Sequence, residues 1–317
     1  MNQGMQDQPN CINLEAAKAC PVCGSRRLEP RFDVRQITDD PLHSYAIELG
    51  ISVATIVACR ECAFLFKNTR PSAAYLDQHY SESSESYLKS IAEDDAEFRE
   101  DFRVARQLLH GAFPRGGSIL DVGCASGFFL ESLGQNWNRH GVELYRLAVE
   151  RSRSRPGIVV HECDIALAAF ARESFDVVCS FDVLEHLPKP MPILQEARRI
   201  LKPGGWLLIG TGNSASLTAR MAGSRWTYLC IPEHISFFNP HSLKKGLAKV
   251  GFSSFKLKRI HHGLRSRSVA SGWLRGVGKH WAVTLCGEDI VRMSIFRQKT
   301  SEFLVPYFFD HMICVAQ

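Results

Sequence analysis

Long apolar runs are missing from this 317-residue chain. No stretch approaches the roughly 18 residues that cross a bilayer. The opening, MNQGMQDQPN, has no basic segment followed by an apolar core, so no secretory leader is expected and the expected location is the cytoplasm. Charge of one sign is also scarce. Lys and Arg (38) nearly balance Asp and Glu (33), and the formal +5 gives no chain-wide footprint for a polyphosphate. With 45 % hydrophobic and 22 % charged residues, the composition is that of a globular chain with one large domain, or a large one with a small appendage.

Cysteine, by contrast, is abundant. Seven of the eleven (Cys11, Cys124, Cys163, Cys179, Cys230, Cys286, Cys314) stand singly, several in apolar runs where a reduced thiol packs as a small hydrophobe. The other four form two knuckles, CPVCG (Cys20, Cys23) and CREC (Cys59, Cys62), separated by 35 residues. Four thiolates are the tetrahedral donor set of a structural zinc ion, and four protein ligands leave no open catalytic position. The interval is long for a ribbon. It has room for a β-hairpin from RLEPRFDV and ISVATIVACR, with the ion replacing a core that about 50 residues can barely build. The alternative is a redox dithiol, but a redox CxxC normally opens a helix in a βαβ unit.

Residues 1–70 are therefore expected as a zinc-ribbon-like domain. The next segment, FLFKNTRPSAAYLDQHYSESSESYLKS, carries Pro71, a serine cluster and Tyr75, Tyr80 and Tyr87. It reads as a linker with short helical turns rather than a strand. Phe98, Phe102, Ala105 and Leu109 then recur at helical spacing and predict a helix over 91–110, which makes 71–112 a helical linker and cap. From residue 118, strand-like SILDVG, NRHGVEL, GIVVHECDI, FDVVCSF and GGWLLIGT alternate with helix-like segments. Such alternation predicts βαβ units and a mostly parallel sheet. SFKLKRI and HMICVAQ bring the strands to seven in a domain over 113–317, with a basic helical insertion at about 261–305.

In SILDVGCASGFFL, Asp121 precedes Gly123 and Gly127. A dinucleotide fingerprint would read G-x-G-x-x-G and a P-loop would end in Gly-Lys-Ser/Thr, and neither is present. An acid in the turn disfavours a pyrophosphate and suits a ligand with a cationic amine. Glu143, about 20 residues on, closes the second strand where an acid accepts from ribose hydroxyls. Asp164 closes the third, where a carboxylate accepts from an exocyclic adenine amine. Amine, ribose and adenine together describe S-adenosylmethionine.

These motifs resemble the class I S-adenosylmethionine-dependent methyltransferases. LDVGCASG looks like their first motif, with Ala125 where glycine is commoner, and FDVVCSFDVLEHLPKP and RRILKPGGWLLIGT resemble their fourth- and fifth-strand motifs. The resemblance implies a Rossmann-like sheet. It places the methionine end of the cofactor on Asp121, Gly123 and Gly127, the ribose on Glu143 and the adenine on Asp164 and Ile165, with Phe181 and Asp182 lining the pocket. The two CxxC knuckles narrow the likeness to the subset with an N-terminal zinc ribbon, which includes deoxysugar C-methyltransferases. In that subset a Glu-His pair sits at the substrate, here Glu233 and His234 of PEHISFFNPHSL; the tyrosine expected two residues earlier is Ile231.

His234, taken as near neutral in pKa, is the expected general base, with Glu233 orienting it or binding a substrate hydroxyl. A carbonyl-bonded His234 beside a capping Glu233 is the structural alternative. For Glu185-His186 a structural role is expected, with Glu185 bonding backbone near the fourth strand and His186 at the pocket rim. Residues 256–299 hold ten Lys or Arg against Glu288 and Asp289, with Trp273 and Trp281 among them. A solvated face over a packed insertion competes there with a cap for an anionic substrate and with a nucleic-acid or membrane surface. The expected function is methyl transfer to a hydroxyl or carbon of a small molecule, including anionic acceptors such as sugar nucleotides. An RNA methyltransferase and a non-catalytic binding protein on the same fold are the alternatives.

Overall fold

The computed structural model describes residues 14–37, 51–72, 75–76, 99–260 and 310–317. The expected features at Tyr80, Tyr87 and Phe98 and the basic insertion with Trp273 and Trp281 lie outside these residues.

Near the start of the chain, β1 (Leu14–Ala16) pairs antiparallel with β5 (Thr69–Pro71). The expected hairpin is present as β2 (Leu28–Arg35) against β3 (Val53–Cys59), and β4 (Leu65–Lys67) adds to β3. The reading of FLFKNTRP as a linker is therefore wrong. Phe66 is fully buried and Leu65 half-buried, so the segment gains more as a third strand than as a turn, while Pro71 is tolerated on a three-residue edge strand. A fourth strand, β11 (Ser236–Phe237), joins from far along the chain and pairs with β4, giving the order β11-β4-β3-β2.

The main sheet contains β6 (Gly117–Val122), β7 (Trp137–Glu143), β8 (Ile158–Glu162), β9 (Phe175–Phe181), β10 (Leu201–Gly212), β12 (Phe255–Ile260) and β13 (His311–Ala316). Their order is β12-β13-β10-β9-β6-β7-β8. Only β13 runs antiparallel to its neighbours, so the expected seven-stranded, mostly parallel Rossmann-like sheet is present. The chain moves outward from β6 through β7 to β8, then returns to the other side with β9. That reversal opens a crevice beyond the carboxyl ends of β6 and β9.

Among the described residues the helices are α1 (Glu100–Ala112), α2 (Phe128–Ser132), α3 (Arg146–Arg153), α4 (Met191–Ile200), α5 (Leu217–Ala222), α6 (Thr227–Cys230) and α7 (Pro240–Lys249). Strand alternation divides the core between two faces. Ile119, Val177 and Leu208 face Phe129, Val149 and, on α1, Ala105 and Leu109. Leu120, Val178 and Ile209 face Leu194 of α4 and Leu243 of α7 in a cluster that continues without interruption into Val22, Val57, Phe64 and Phe66. The small hairpin sheet is thus seated on the large one through a shared apolar core. An Asn239–Ser242 capping box starts α7, and the Asn239 Nδ2 also donates to the carbonyl of Ala63 beside the second knuckle (2.6 Å).

Phe66 lies in that shared core, stacked on Phe64 at 5.9 Å between centroids. Phe66→Ala is expected to lower stability by about 3–5 kcal/mol, whereas Leu217→Ala at a 73 % exposed position should change it by less than about 0.5 kcal/mol. Urea unfolding read by tryptophan fluorescence checks both. An unchanged midpoint for Phe66→Ala would mean that the hairpin sheet is not seated on the core.

Candidate active site

Asp121 ends β6 with its carboxylate buried, 3 % exposed, and accepts from the Cys179 thiol at 3.3 Å. Burial, with the nearby Glu143 adding to it, pushes its pKa up to about 7. The turn that follows takes left-handed backbone at Gly123 (φ 74°), Ala125 (φ 46°) and Gly127 (φ 79°). A Cβ at Gly123 would collide with Val183 and one at Gly127 with Ser152, so the turn can pack its backbone this closely on its neighbours only without side chains at these two positions. Ala125 holds the same left-handed conformation despite its methyl group, at a cost of about 1 kcal/mol. Its N–H donates to Glu143 Oε2 at 2.8 Å.

Glu143 ends β7 and accepts from the Leu144 and Tyr145 amides at 2.8 and 2.9 Å through Oε1. Burial raises its pKa despite these three amides. Asp164, past β8, is half-buried and accepts from Ala166 N at 2.8 Å, and Ile165 beside it is buried. Parallel pairing of β6 with β7 and β7 with β8 brings Asp121, Glu143 and Asp164 to one edge of the crevice. Phe181 and Asp182 stand at the end of β9 on its other side. A buried acid, a side-chain-free turn and two further acids at successive strand ends fit S-adenosylmethionine.

Across the crevice lies a second polar cluster. Arg99, just before α1, donates to Asp182 at 2.6 Å and also pairs with Asp101. His311 Nδ1 pairs with Asp310 at 2.9 Å, and its Nε2 lies 3.9 Å from Asp182. Burial opposes charge on His311, but Asp310, Asp182 and Glu185 outweigh it and raise its pKa. Trp226 Nε1 donates to the other oxygen of Asp310 at 2.7 Å.

Glu185 is fully buried in a 3-10 turn (Leu184–His186). Its carboxylate accepts from the hydroxyls of Thr211 (3.0 Å) and Tyr228, and its expected backbone bond is present as one from its own N–H. Beside the end of β10, the hydroxyl of Thr211 reaches the carboxylate, while Tyr228 also accepts from Gly212 N at 3.0 Å. Burial, with the charge of Asp182, pushes Glu185 up to about 7.

His234 packs on Tyr228, with ring centroids 4.1 Å apart, and on His186 at 4.9 Å. The expectation of a near-neutral pKa is incorrect. Burial, reinforced by His186 and Lys67, moves it well below the ordinary histidine value. The neutral ring donates Nδ1–H to the Tyr228 carbonyl at 3.1 Å, which leaves the Nε2 lone pair as its acceptor. The Glu233–His234 loop is held from the hairpin sheet. Lys67 of β4, only 2 % exposed, donates to the carbonyls of Ile231 (2.7 Å) and Pro232 (3.2 Å) and pairs electrostatically with Glu233. Burial pulls Lys67 down to about 7, with Glu233 opposing that shift.

Sequence reasoning missed Arg99, Lys67, Tyr228, Asp310 and His311. No spacing signals them, because apart from the adjacent Asp310 and His311 they come from different parts of the chain. Tyr228 is three residues before Ile231, so a tyrosine does reach the site, one helical turn earlier than expected.

At the knuckles, the sulfurs of Cys20, Cys23, Cys59 and Cys62 all lie within 4.8 Å of one another, with Cys20–Cys62 at 3.6 Å and Cys23–Cys59 at 3.5 Å. Tetrahedral zinc with Zn–S bonds near 2.3 Å requires sulfurs about 3.8 Å apart. The donor set and its spacing fit that ion.

Residues 96–256 match the family model described as a methyltransferase domain. The chain is 28 % identical over 176 residues to a ubiquinone biosynthesis O-methyltransferase of Burkholderia pseudomallei, covering 51 % of this chain and 75 % of that protein. It is 27 % identical over 195 residues to a tRNA U34 carboxymethyltransferase of Alteromonas mediterranea, covering 57 % of this chain and 58 % of that protein. A solved S-adenosylmethionine-dependent methyltransferase from Archaeoglobus fulgidus superposes with a TM-score of 0.46 at 19 % identity, covering 73 % of this chain and 99 % of that one.

Burial sets the Asp121 pKa at about 7, and a cationic ammonium would pair with its ionised form only. If Asp121 holds the cofactor's ammonium, affinity should be complete well above pH 7 and fall as pH drops below it, by up to about tenfold per pH unit. Calorimetric titration with S-adenosylhomocysteine between pH 5.5 and 8.5 should show this slope, and Asp121→Asn should abolish it. A pH-independent wild type would remove Asp121 from the cofactor site.

Proposed function

The chain belongs to the methyltransferase-domain family, within the class I S-adenosylmethionine-dependent enzymes, and we propose that it transfers the methyl group to a hydroxyl of a small-molecule acceptor: a sugar, a glycan precursor or a secondary metabolite. The observation that carries this reading is the depth of the second cluster. Glu185, Tyr228, His234 and His311 are between 0 and 9 % exposed, which suits a compact group rather than the face of a folded polymer. Asp121, Gly123 and Gly127 would hold the amino-acid end of the cofactor, Glu143 its ribose, and Asp164 and Ile165 its adenine, with Phe181 and Asp182 along the wall. When bound, the cofactor supplies an electrophilic methyl on a sulfonium.

The work left to the protein is alignment, exclusion of water and removal of one proton. His234 Nε2 is the proposed acceptor of that proton, with Glu233, in the field of Lys67, proposed to orient it or to bind a neighbouring acceptor hydroxyl. A weak, buried base suits an O–H whose acidity rises as the new O–C bond forms. It suits a carbon acid poorly, because such an acceptor must ionise first, and this favours oxygen over carbon. Glu185, at about 7, is a second proton acceptor, reached through the Tyr228 hydroxyl. Similarity to O-methyltransferases of ubiquinone biosynthesis supports an oxygen acceptor. The tRNA-modifying relative favours RNA as the second reading. The four cysteines are proposed to hold a structural zinc that keeps the β3–β4 turn, and through Lys67 the Glu233–His234 loop, in place.

Two experiments test this reading. Incubation with S-adenosylmethionine carrying a labelled methyl group, against panels of sugar nucleotides, phenols and bulk tRNA, should label a small-molecule hydroxyl. His234→Ala should then reduce kcat by about 10²–10⁴ without changing S-adenosylhomocysteine affinity. Label in tRNA alone, or undiminished kcat, overturns the proposal. For the metal, zinc should be measured in the purified protein, and its removal by a chelator should speed amide exchange in residues 231–238. Unchanged exchange would separate the knuckles from the loop.

A further inference from the structure

Exposed large apolar side chains are few among the described residues: Val53, Val159, Leu167, Leu217 and Met221. Scattered singly, such residues are ordinary surface. Leu217 and Met221 are not scattered. They stand one turn apart on α5, 73 % and 41 % exposed. At about 100° per residue, Leu217, Arg220 and Met221 fall within one arc of the helix, and Ala219 and Ala222 fall on the opposite one. The burial agrees, since both alanines are buried and the other three side chains are exposed.

The surroundings of this face are basic. Arg220 lines the groove between α5 and the hairpin sheet, and Arg27, Arg31 and Arg60 line it from the far side with more than half of each side chain exposed. Glu29 lies 3.0 Å from Arg60 and 4.0 Å from Arg31, and Glu61 pairs with Arg27, so four guanidiniums meet two carboxylates. The helix follows the carboxyl end of β10 after residues 213–216, so the face lies at the end of the sheet on which the crevice opens.

Two apolar side chains beside a group of arginines suit a lipid surface better than a folded partner. A stable protein interface needs roughly 800 Å² from each side, far more than two side chains supply. Single-stranded nucleic acid binds on aromatic stacking platforms, and none of the five exposed large apolar side chains is aromatic. A bilayer asks for less: shallow apolar insertion, and basic groups level with anionic headgroups. No described helix is long and apolar enough to cross a membrane, so the contact this face can make is peripheral.

We propose that the outer face of α5 docks reversibly on an anionic lipid bilayer, with Leu217 and Met221 inserted below the headgroups and Arg220, Arg31, Arg27 and Arg60 against the lipid phosphates. The docking goes beyond methyl transfer and does not depend on which acceptor is used. No covalent step is involved.

The whole chain should be sedimented with vesicles of phosphatidylcholine alone and of a three-to-one mixture of phosphatidylcholine and phosphatidylglycerol, at physiological ionic strength. Binding to the anionic vesicles is expected to exceed that to the neutral ones by about tenfold or more. It should fall by about tenfold in Leu217→Ser/Met221→Ser and severalfold in Arg31→Glu/Arg220→Glu, with the melting temperature of both variants unchanged. Sedimentation with neither vesicle overturns the proposal. Equal binding to the two vesicles does so as well, as does binding that survives the serine variant. A short single-stranded RNA that binds through Arg31 and Arg220 while the vesicles stay unbound would assign the face to nucleic acid and overturn the proposal too.

Discussion

A buried ammonium joins the two halves of this molecule. Lys67 reaches from the hairpin sheet to the carbonyls of Ile231 and Pro232, with Gln36 as a third partner and Glu233 as its counter-charge. A cation removed from water without such partners would be costly, so the geometry of the loop and that of the hairpin are fixed together. The β4–β11 pairing repeats the constraint in backbone hydrogen bonds, since Ser236 and Phe237 follow His234 by only two and three residues. The cysteine knuckles therefore bear on the position of a histidine more than 170 residues away in sequence, from Cys62 to His234.

The chemistry depends on how the interior distributes its charges. Asp182 is compensated by Arg99, whereas Asp121 and Glu185 lie where burial raises both carboxyls to about 7. A buried acid of that kind is poised between its two forms near neutral pH and responds to whatever charge enters the crevice. His234 is held on the opposite side of neutrality by the same desolvation. Burial, rather than any single partner, thus sets the direction for all three groups, as expected of a closed pocket.

The sheet was largely legible because parallel buried strands leave near-continuous apolar runs, and FDVVCSF and GGWLLIGT are of that kind. The acids at the ends of β6, β7 and β8 were legible for the same reason, since a strand end is visible where the apolar run stops. FLFKNTRP was misread. Its three-residue strands are too short to show a period, and Pro71 suggests a turn. The cluster around Glu185 was only half legible. The sequence shows the Glu-His pair, but its partners Thr211 and Tyr228 lie 26 and 43 residues away and meet it only through the fold. The burial that lowers the basicity of His234 is likewise a property of packing and has no local signature.

The place of β13 has a consequence for how the chain can fold. It is the last described strand, yet it lies between β10 and β12, pairing antiparallel with both. Until residues 311–316 arrive, β10 offers an unpaired edge along Leu207–Gly212, and β12 has no neighbour in the sheet. An apolar edge of that length is a template for pairing with another chain. That edge is closed only when residues 311–316 are seated between the two strands. Asp310 and His311 reach Trp226 and Asp182 only in that final insertion, so the polar cluster is completed by the same event that seals the edge.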